Sequence, residues 1–348
     1  MKKKLLPALI VTGLIILVVI IMGITALINK YTPTKKTEDL KEYFNISSDD
    51  EAALIVDNEL SDYKAKIIDK KIYVDYKFVH DSLNSRFYWD ANENVLLYTT
   101  ASDIISAAAD SNSYSVTKQT NDFGYPIVKA TSDSALIALD YVKQYSNITF
   151  KSYDDPARIV ITSKWDEIDS ATVSKSTQVR VKGGIKSPIL KEVKKDDKIT
   201  ILDSGDKWDK VATEDGVIGY IKRKALSESK KTKLTNPDYE EETFTHIKKD
   251  KDICLAWNQV TSQSANSKVA QVISSTKGIN VMSPTWFYLN DNNGNLADIA
   301  SKDYVSYCHS QGIEVWGLFS NFENTDVDAA YLLTHTSTRT TLINQIMS

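Results

Sequence analysis

Charge of one sign is what this 348-residue sequence most plainly lacks: 42 Lys plus Arg stand against 46 Asp plus Glu, a formal charge of -4. That balance excludes the basic excess of a nucleic-acid binder and the imbalance of an acidic tail, so nucleic acid is not an expected partner. Cysteine is nearly absent. Cys254 and Cys308 lie far apart in apolar surroundings, where spacing leaves their pairing open and two small core residues are the plainer reading. Metal-ligand patterns are lacking too: His80 is the one histidine between residues 49 and 166, and no Cys, His or carboxylate group there has ligand spacing. Neither a metal nor a cofactor is expected.

Long apolar runs are absent with one exception. Leu5 to Ile28 is uncharged for 24 residues, which at about 1.5 Å rise per residue crosses a ~30 Å hydrocarbon core. Lys2, Lys3 and Lys4 precede it, so the positive-inside tendency keeps residues 1–4 in the cytoplasm and exports the chain beyond the span, a bias that Lys30, Lys35 and Lys36 weaken. No pair of small residues between Met22 and Tyr31 marks a cleavage site. The expectation is an uncleaved signal anchor over 5–28, a single pass through the cell membrane, and an extracytoplasmic remainder on the cell-wall side. Only the three lysines and Met1 precede the span, so an inward-signalling domain is not read.

Residues 29–48 are polar with a single proline and read as a tether in which no core begins. Between Glu59 and Trp165 one pattern occurs twice: an alternating strand, a helical run, and two strands joined by a turn. The first copy has Ile72, Val74, Tyr76 and Phe78, then Arg86–Trp89 and Val95–Tyr98; the second has Tyr125–Val128, a helix-like Ala135–Val142, then Ile148–Tyr153 and Arg158–Thr162. Two matched halves imply one α+β domain over 49–166. Residues 171–227 change to short strands, with alternation at Ile199/Ile201 and Val217/Ile221 and permissive turns at Gly183-Gly184, Gly205 and Gly216. A charged stretch over 228–245 reads as a linker.

From residue 246 the rhythm becomes strand then helix. Asp252–Trp257, Gly278–Met282 and Ile313–Phe319 read as strands, with Trp316 as core. Val269, Val272 and Ile273, then Ser301 capping Tyr304, Val305 and Cys308, then Thr338–Met347 read as helices, the second stopped by Gly312. Such alternation implies a parallel sheet covered by helices, either a (β/α)8 barrel or a doubly wound fold. A dinucleotide-binding fold is disfavoured, because Trp257-Asn258-Gln259-Val260 stands where its Gly-rich turn would be.

Three stretches carry family resemblances. Residues 49–166 loosely resemble the stalk domain named after the copper amine oxidase N-terminus. Val179-Arg180, Ser187-Pro188-Ile189, Asp196-Asp197, Ile199–Leu202, Trp208 with Val211, Asp215-Gly216 and Gly219-Tyr220-Ile221 resemble a bacterial SH3-like domain. LAWNQV, GINVMSPTWFYLNDNNGNLADIAS, YCHSQGIEVWGLFSNF and STRTTLINQIMS resemble, in order, the first three strand-helix units of glycoside hydrolase family 18, in its cell-wall and spore-associated branch. The fold class expected is therefore multidomain: a transmembrane helix, a small α+β stalk domain, an all-β SH3-like barrel, and over 246–348 the first three β/α units of a (β/α)8 TIM barrel.

The glycosidase resemblance implies substrate-assisted, retaining hydrolysis of β-linked N-acetylglucosamine polymers, peptidoglycan or chitin-like, through a DxxDxDxE motif at the fourth strand. That motif is not in this sequence, so no catalytic residue is assigned; a fragment of a longer enzyme, inactive alone, is expected. Glu323, Asp326 and Asp328 follow the third strand, but a polar loop of this kind is ordinarily solvated. Substrate-binding candidates at strand ends are Trp257, Trp286, Tyr288 and Asn321. Trp208 and Tyr220 are candidates for a wall ligand of the SH3-like segment. The alternative to an enzyme is a non-catalytic wall-binding or stalk protein.

Overall fold

The computed structural model describes residues 2–348, with side chains from Ile10 onward; Met1 and the side chains of Lys2, Lys3 and Lys4, on which the cytoplasmic-flank reading rests, lie outside the described residues. The uncharged run forms helix α1 (Lys2–Tyr31), and its stretch Ile10–Tyr31 is long and apolar enough to cross a membrane and is buried nowhere in protein. A helix apolar on every side has no water-facing stripe, which suits lipid rather than a packed surface. The chain is multidomain, with several sheets beyond this helix.

In chain order α2 (Leu40–Tyr43) precedes β1 (Glu51–Val56), β2 (Glu59–Ile68), β3 (Lys71–Asp75) and the helical turn α3 (Tyr76–Phe78). Next come β4 (Phe87–Asp90), β5 (Val95–Thr99), β6 (Ile104–Ala108), β7 (Ser113–Val116), β8 (Gln119–Asp122), β9 (Val128–Ala130) and β10 (Ala135–Ala138). Helix α4 (Leu139–Gln144), β11 (Thr149–Tyr153) and β12 (Arg158–Thr162) follow. The next group is β13 (Glu167–Thr172), β14 (Thr177–Arg180), β15 (Ile189–Val193), β16 (Lys198–Asp203), β17 (Trp208–Thr213), β18 (Ile218–Lys222) and β19 (Lys230–Lys233). The last is β20 (Leu255–Asn258), α5 (Val269–Ser274), β21 (Val281–Pro284), β22 (Phe287–Leu289), β23 (Leu296–Asp298), α6 (Lys302–Ser310), β24 (Glu314–Val315), β25 (Phe319–Ser320), α7 (Ala329–Thr334) and α8 (Thr336–Ile346). Two compact units result: 1–84 with 137–241, and 85–136 with 242–348.

In the first unit a sheet runs in the order β11-β12-β1-β2-β3, with β1 parallel to β12 and the other pairs antiparallel. Two-residue turns at Asp57-Asn58 and Asp69-Lys70, all four at positive φ, set the hairpin registers. A second sheet, β15-β14-β18-β17-β16-β13-β19, has a linear order that no pairing closes among the described residues, so the expected SH3-like barrel is an open sheet here. The two sheets share one core: Ala53 and Ile55 of β1 lie in the same buried cluster as Val179, Ile199, Val211, Val217 and Ile221. Gly216 explains the closeness. Its φ is +84°, and a Cβ there would stand 2.8 Å from Val160 Cγ2 and 3.1 Å from Ile55 Cγ1, so only glycine fits the turn against β1 and β12.

A buried ionic cluster ties the same junction. Arg158 of β12 donates through Nε to the Asp215 carbonyl at 2.6 Å and through its terminal nitrogen to the Asp215 carboxylate, which also takes Lys191 Nζ at 2.6 Å and Thr213 Oγ1 at 2.6 Å. Burial pushes the Asp215 carboxyl up, but hydrogen bonds from Lys191 and Thr213 and the charges of Lys191 and Arg158 outweigh it and hold the group below the usual carboxylate range.

Three stretches differ from their sequence reading. The supposed tether carries core: Phe44 is 0 % exposed within the shared cluster, a burial worth about 1.5–3 kcal/mol, and Thr37 bridges Ile189 in parallel. Lys230–Lys233, read as linker, pairs through its backbone with β13, which needs no apolar side chains and so left no periodicity. Ala135–Ala138, read as the start of a helix, is extended, and the helix begins at Leu139; alanine and leucine favour a helix locally, but tertiary burial of Ala135, Ile137 and Ala138 decides.

In the second unit β4 to β8 form a five-stranded antiparallel meander. Strands β20, β21 and β24 form a parallel three-stranded sheet, and β23-β22-β25 a smaller mixed one. No closed barrel is present among the described residues. The hairpin β22-β23 and helix α7 are additions that periodicity did not show. Ser301 caps α6 by accepting from the Tyr304 amide at 3.3 Å, and Gly312 at φ +72° ends that helical segment. Helix α8 is capped from outside its own sequence: the Asp90 carboxylate accepts from Thr336 N at 2.7 Å and Thr336 Oγ1 at 2.6 Å, and Glu93 accepts from Ser337 N at 2.9 Å.

Candidate functional site

One face of the parallel sheet of the second unit packs beneath helices; on the other, Val281 and Ser283 are buried and exposure is confined to the tryptophans at the strand ends. Strand alternation puts Ala256, Met282 and Val315 in one row, and these pack with Trp286, Tyr304, Cys308 and Val269 beneath helices α5 and α6. The opposite face carries Leu255, Val281 and Glu314, then Trp257 in register with Ser283. Trp316 N donates to Met282 O at 2.9 Å and Leu318 N to Pro284 O at 2.8 Å, so the ladder continues past β24 and brings Trp316 into the row of Trp257 and Ser283. Trp257 is 76 % exposed and Trp316 39 %. Two indoles thus stand at the C-terminal ends of parallel strands on the face opposite Met282, where flat apolar ligand surfaces can stack.

Polar groups edge this row. Glu314 accepts from Lys249 Nζ at 2.9 Å and from Trp316 Nε1 at 3.3 Å. The Lys249 hydrogen bond chiefly holds the Glu314 carboxyl below its ordinary range, which makes it an anion at neutral pH rather than a proton donor. Sequence reasoning missed Trp316 as a surface residue; the signal was its place two residues after Glu314, on the same strand face.

The remaining candidates separate. Trp286 is 3 % exposed, donates through Nε1 to Asn266 Oδ1 at 2.8 Å and packs edge-on against Tyr304 at 5.0 Å, so its ring is core and open to no ligand. Tyr288 is half-buried on β22, in the other small sheet, opposite Ser320, with exposed Asn321 next in the chain. The acidic loop serves local structure: Asp328 caps α7 by accepting from Tyr331 N at 2.9 Å, and Glu323 accepts from Ser320 Oγ. Cys254 is exposed and Cys308 buried, both free, so only Cys308 is the small core residue expected of the pair.

In the first unit Trp208 pairs with Lys222 and Tyr220 with Lys210, which puts both half-buried rings on the face opposite Val211 and Ile221, diagonal to each other. Lys222 Nζ lies 5.8 Å from the Trp208 ring centre. A cavity of about 670 Å³ lies elsewhere in this unit: Thr149, Ser170 and Thr200 line it with Lys151, Lys198 and Lys230. None of these three lysines makes an ion pair among the described residues. Threonine and lysine on strands read as ordinary solvent face, which is why the sequence did not single this cleft out. No group of three or more His, Cys, Asp or Glu among the described residues could hold a metal ion.

No family model matches the chain, and no protein of curated function matches it. Among solved structures, the NlpC1 structure from Trichomonas vaginalis is similar at 14% identity over 41% of this chain, with a TM-score of 0.17. The match spans 44% of that chain, less than half its length. Similarity at that level defines no shared fold, and the functional reading rests on the residues themselves.

Proposed function

We propose that the chain is a membrane-anchored extracytoplasmic protein that binds N-acetylglucosamine-containing cell-wall glycan through residues 246–348, as the opening strands of a family 18 glycosidase barrel, and is itself without hydrolytic activity. One observation carries the reading: Trp257 and Trp316 stand in one row on either side of Ser283, two strands apart, at the C-terminal ends of parallel strands. Indole rings stack on the apolar faces of pyranose rings, and Glu314, held as an anion, accepts hydrogen bonds from hydroxyl or acetamido groups. The apolar span of α1 supports anchorage, with residues 1–4 cytoplasmic. In this proposal 49–166 is the stalk, with its residues 85–136 belonging to the second compact unit; 171–227 is the SH3-like module with Trp208 and Tyr220 as its wall-ligand pair, 228–245 a connection and 246–348 the partial barrel.

The test is titration of the full chain in detergent micelles with N-acetyl-chitooligosaccharides and with solubilised peptidoglycan fragments, read by tryptophan fluorescence and by product release. Saturable quenching that Trp257→Ala weakens at least tenfold, without released sugar, is the expected result. Absence of quenching by either glycan at millimolar concentration refutes the reading, and measurable hydrolysis refutes the inactive part of it. The shared core and buried ionic cluster of the first unit favour a rigid stalk as the second reading, in which that unit only spaces.

A further inference from the structure

Helix α1 does not lead into a free tether. Only Thr32 and Pro33 separate its end at Tyr31 from Thr34, whose amide donates to Ile185 O at 2.8 Å and whose carbonyl accepts from the Arg180 guanidinium at 3.2 Å. The chain then runs along the β15 edge: Ile189 N donates to Lys36 O at 2.8 Å and Glu38 N to Ile189 O at 2.8 Å. Lys186 reaches back to the helix end, donating to Thr32 O at 2.8 Å and to Asn29 O. Two residues span at most about 7 Å, so the loop joining β14 to β15 sits where the helix leaves the hydrocarbon.

Five lysines belong to the two segments that meet there. Lys30, Lys35, Lys36, Lys182 and Lys186 are all exposed, none makes an ion pair among the described residues, and the first acidic residue of the chain is Glu38. Trp208 packs on the same loop: a Cβ on Gly183 would stand 3.1 Å from Trp208 Cβ. A tryptophan beside lysines at the end of a spanning helix is the composition that the headgroup layer favours.

We propose that these five lysines form a collar that binds anionic phospholipid headgroups and seats the β13–β19 module on the bilayer surface. The proposal rests on α1 crossing a membrane. A seated module presents to the wall only the faces turned away from the Lys182–Lys186 loop, so a glycan reaching Trp208 does so at the membrane surface. Since each lysine near an anionic surface contributes about 1 kcal/mol, charge reversal at one position weakens seating by about fivefold or more.

The experiment places the full chain in nanodiscs of phosphatidylcholine alone or with about one-third phosphatidylglycerol and measures acylation rates of each lysine by mass spectrometry. Slowing of Lys35, Lys36 and Lys182 by fivefold or more in the anionic discs, reversed by high salt, is the expected result, with the slowing at Lys36 lost in Lys182→Glu with Lys35→Glu and lysines outside the collar unchanged. Equal rates in the two lipids overturn the collar. Equal protection by inorganic phosphate in neutral discs also overturns it, in favour of a soluble-anion site. Flotation with neutral vesicles reports the anchor separately: a chain that floats but shows no lipid-dependent protection keeps its anchor and loses the collar.

Discussion

Replacing Asp215 with Asn tests the junction that makes the first unit one body. Asp215→Asn preserves shape and an acceptor for Thr213 Oγ1 but removes the charge facing Arg158 and Lys191. Arg158 is 5 % exposed and keeps the carbonyls of Asp154 at 2.8 Å, Pro156 at 2.9 Å and residue 215 itself, with the Tyr153 and Phe44 rings at 5.3 and 5.8 Å. Breaking a buried pair by removing one charge costs about 3–5 kcal/mol, and the carbonyls that remain place this variant near 3. With a urea slope of about 2 kcal/mol per molar, the unfolding midpoint falls by ~1.5 M. The assay is urea unfolding of the full chain in micelles, followed by hydrogen exchange of the β1 and β12 amides.

The pH dependence carries the sign of the same interaction. Because the folded carboxyl titrates below its unfolded value of about 3.9, its stabilisation is fully present above that value and is lost as pH falls through the lower folded one. The gap between wild type and Asp215→Asn therefore narrows in strong acid and is flat from mildly acidic to neutral pH. Filling the site with Asp215→Leu and Arg158→Met together recovers part of the loss, since apolar replacement of both partners avoids the stranded charge. A midpoint shift under ~0.3 M, or a gap that widens on acidification, refutes the assignment.

The second unit yields two more expected outcomes. Asp90→Ala strips the outside cap from α8, with an expected loss of about 1–2 kcal/mol, read as faster exchange of the amides of Thr336 to Ile346. Burial pushes the Asp90 carboxyl up, but donors from Thr336, Asn92 and Glu93 hold it low, so in wild type this protection persists from neutral pH to near 4 and fails as pH drops through the folded value. Iodoacetamide at pH 8 alkylates exposed Cys254 and spares Cys308, whose thiol burial pushes up to about 11; mass spectrometry of the tryptic peptides reads both.

Local patterns in the sequence determined the apolar helix, most strands of the hairpins, the Ser301 cap, the Gly312 stop and the parallel order of Leu255–Asn258, Val281–Pro284 and Glu314–Val315. These rest on side-chain period and on backbone demands within a few residues, which composition records directly. Tertiary structure alone decided the rest. Phe44 in a polar stretch is core because a distant sheet covers it, and Lys230–Lys233 is a strand because β13 offers it backbone partners. Trp286 and Trp316 exchanged their expected roles for the same reason: an indole is apolar enough for a core and polar enough for a surface, and only its neighbours across strands and helices choose. The buried Asp215 cluster and the Asp90 cap join residues 57 and 246 positions apart, distances at which no period in the sequence carries information.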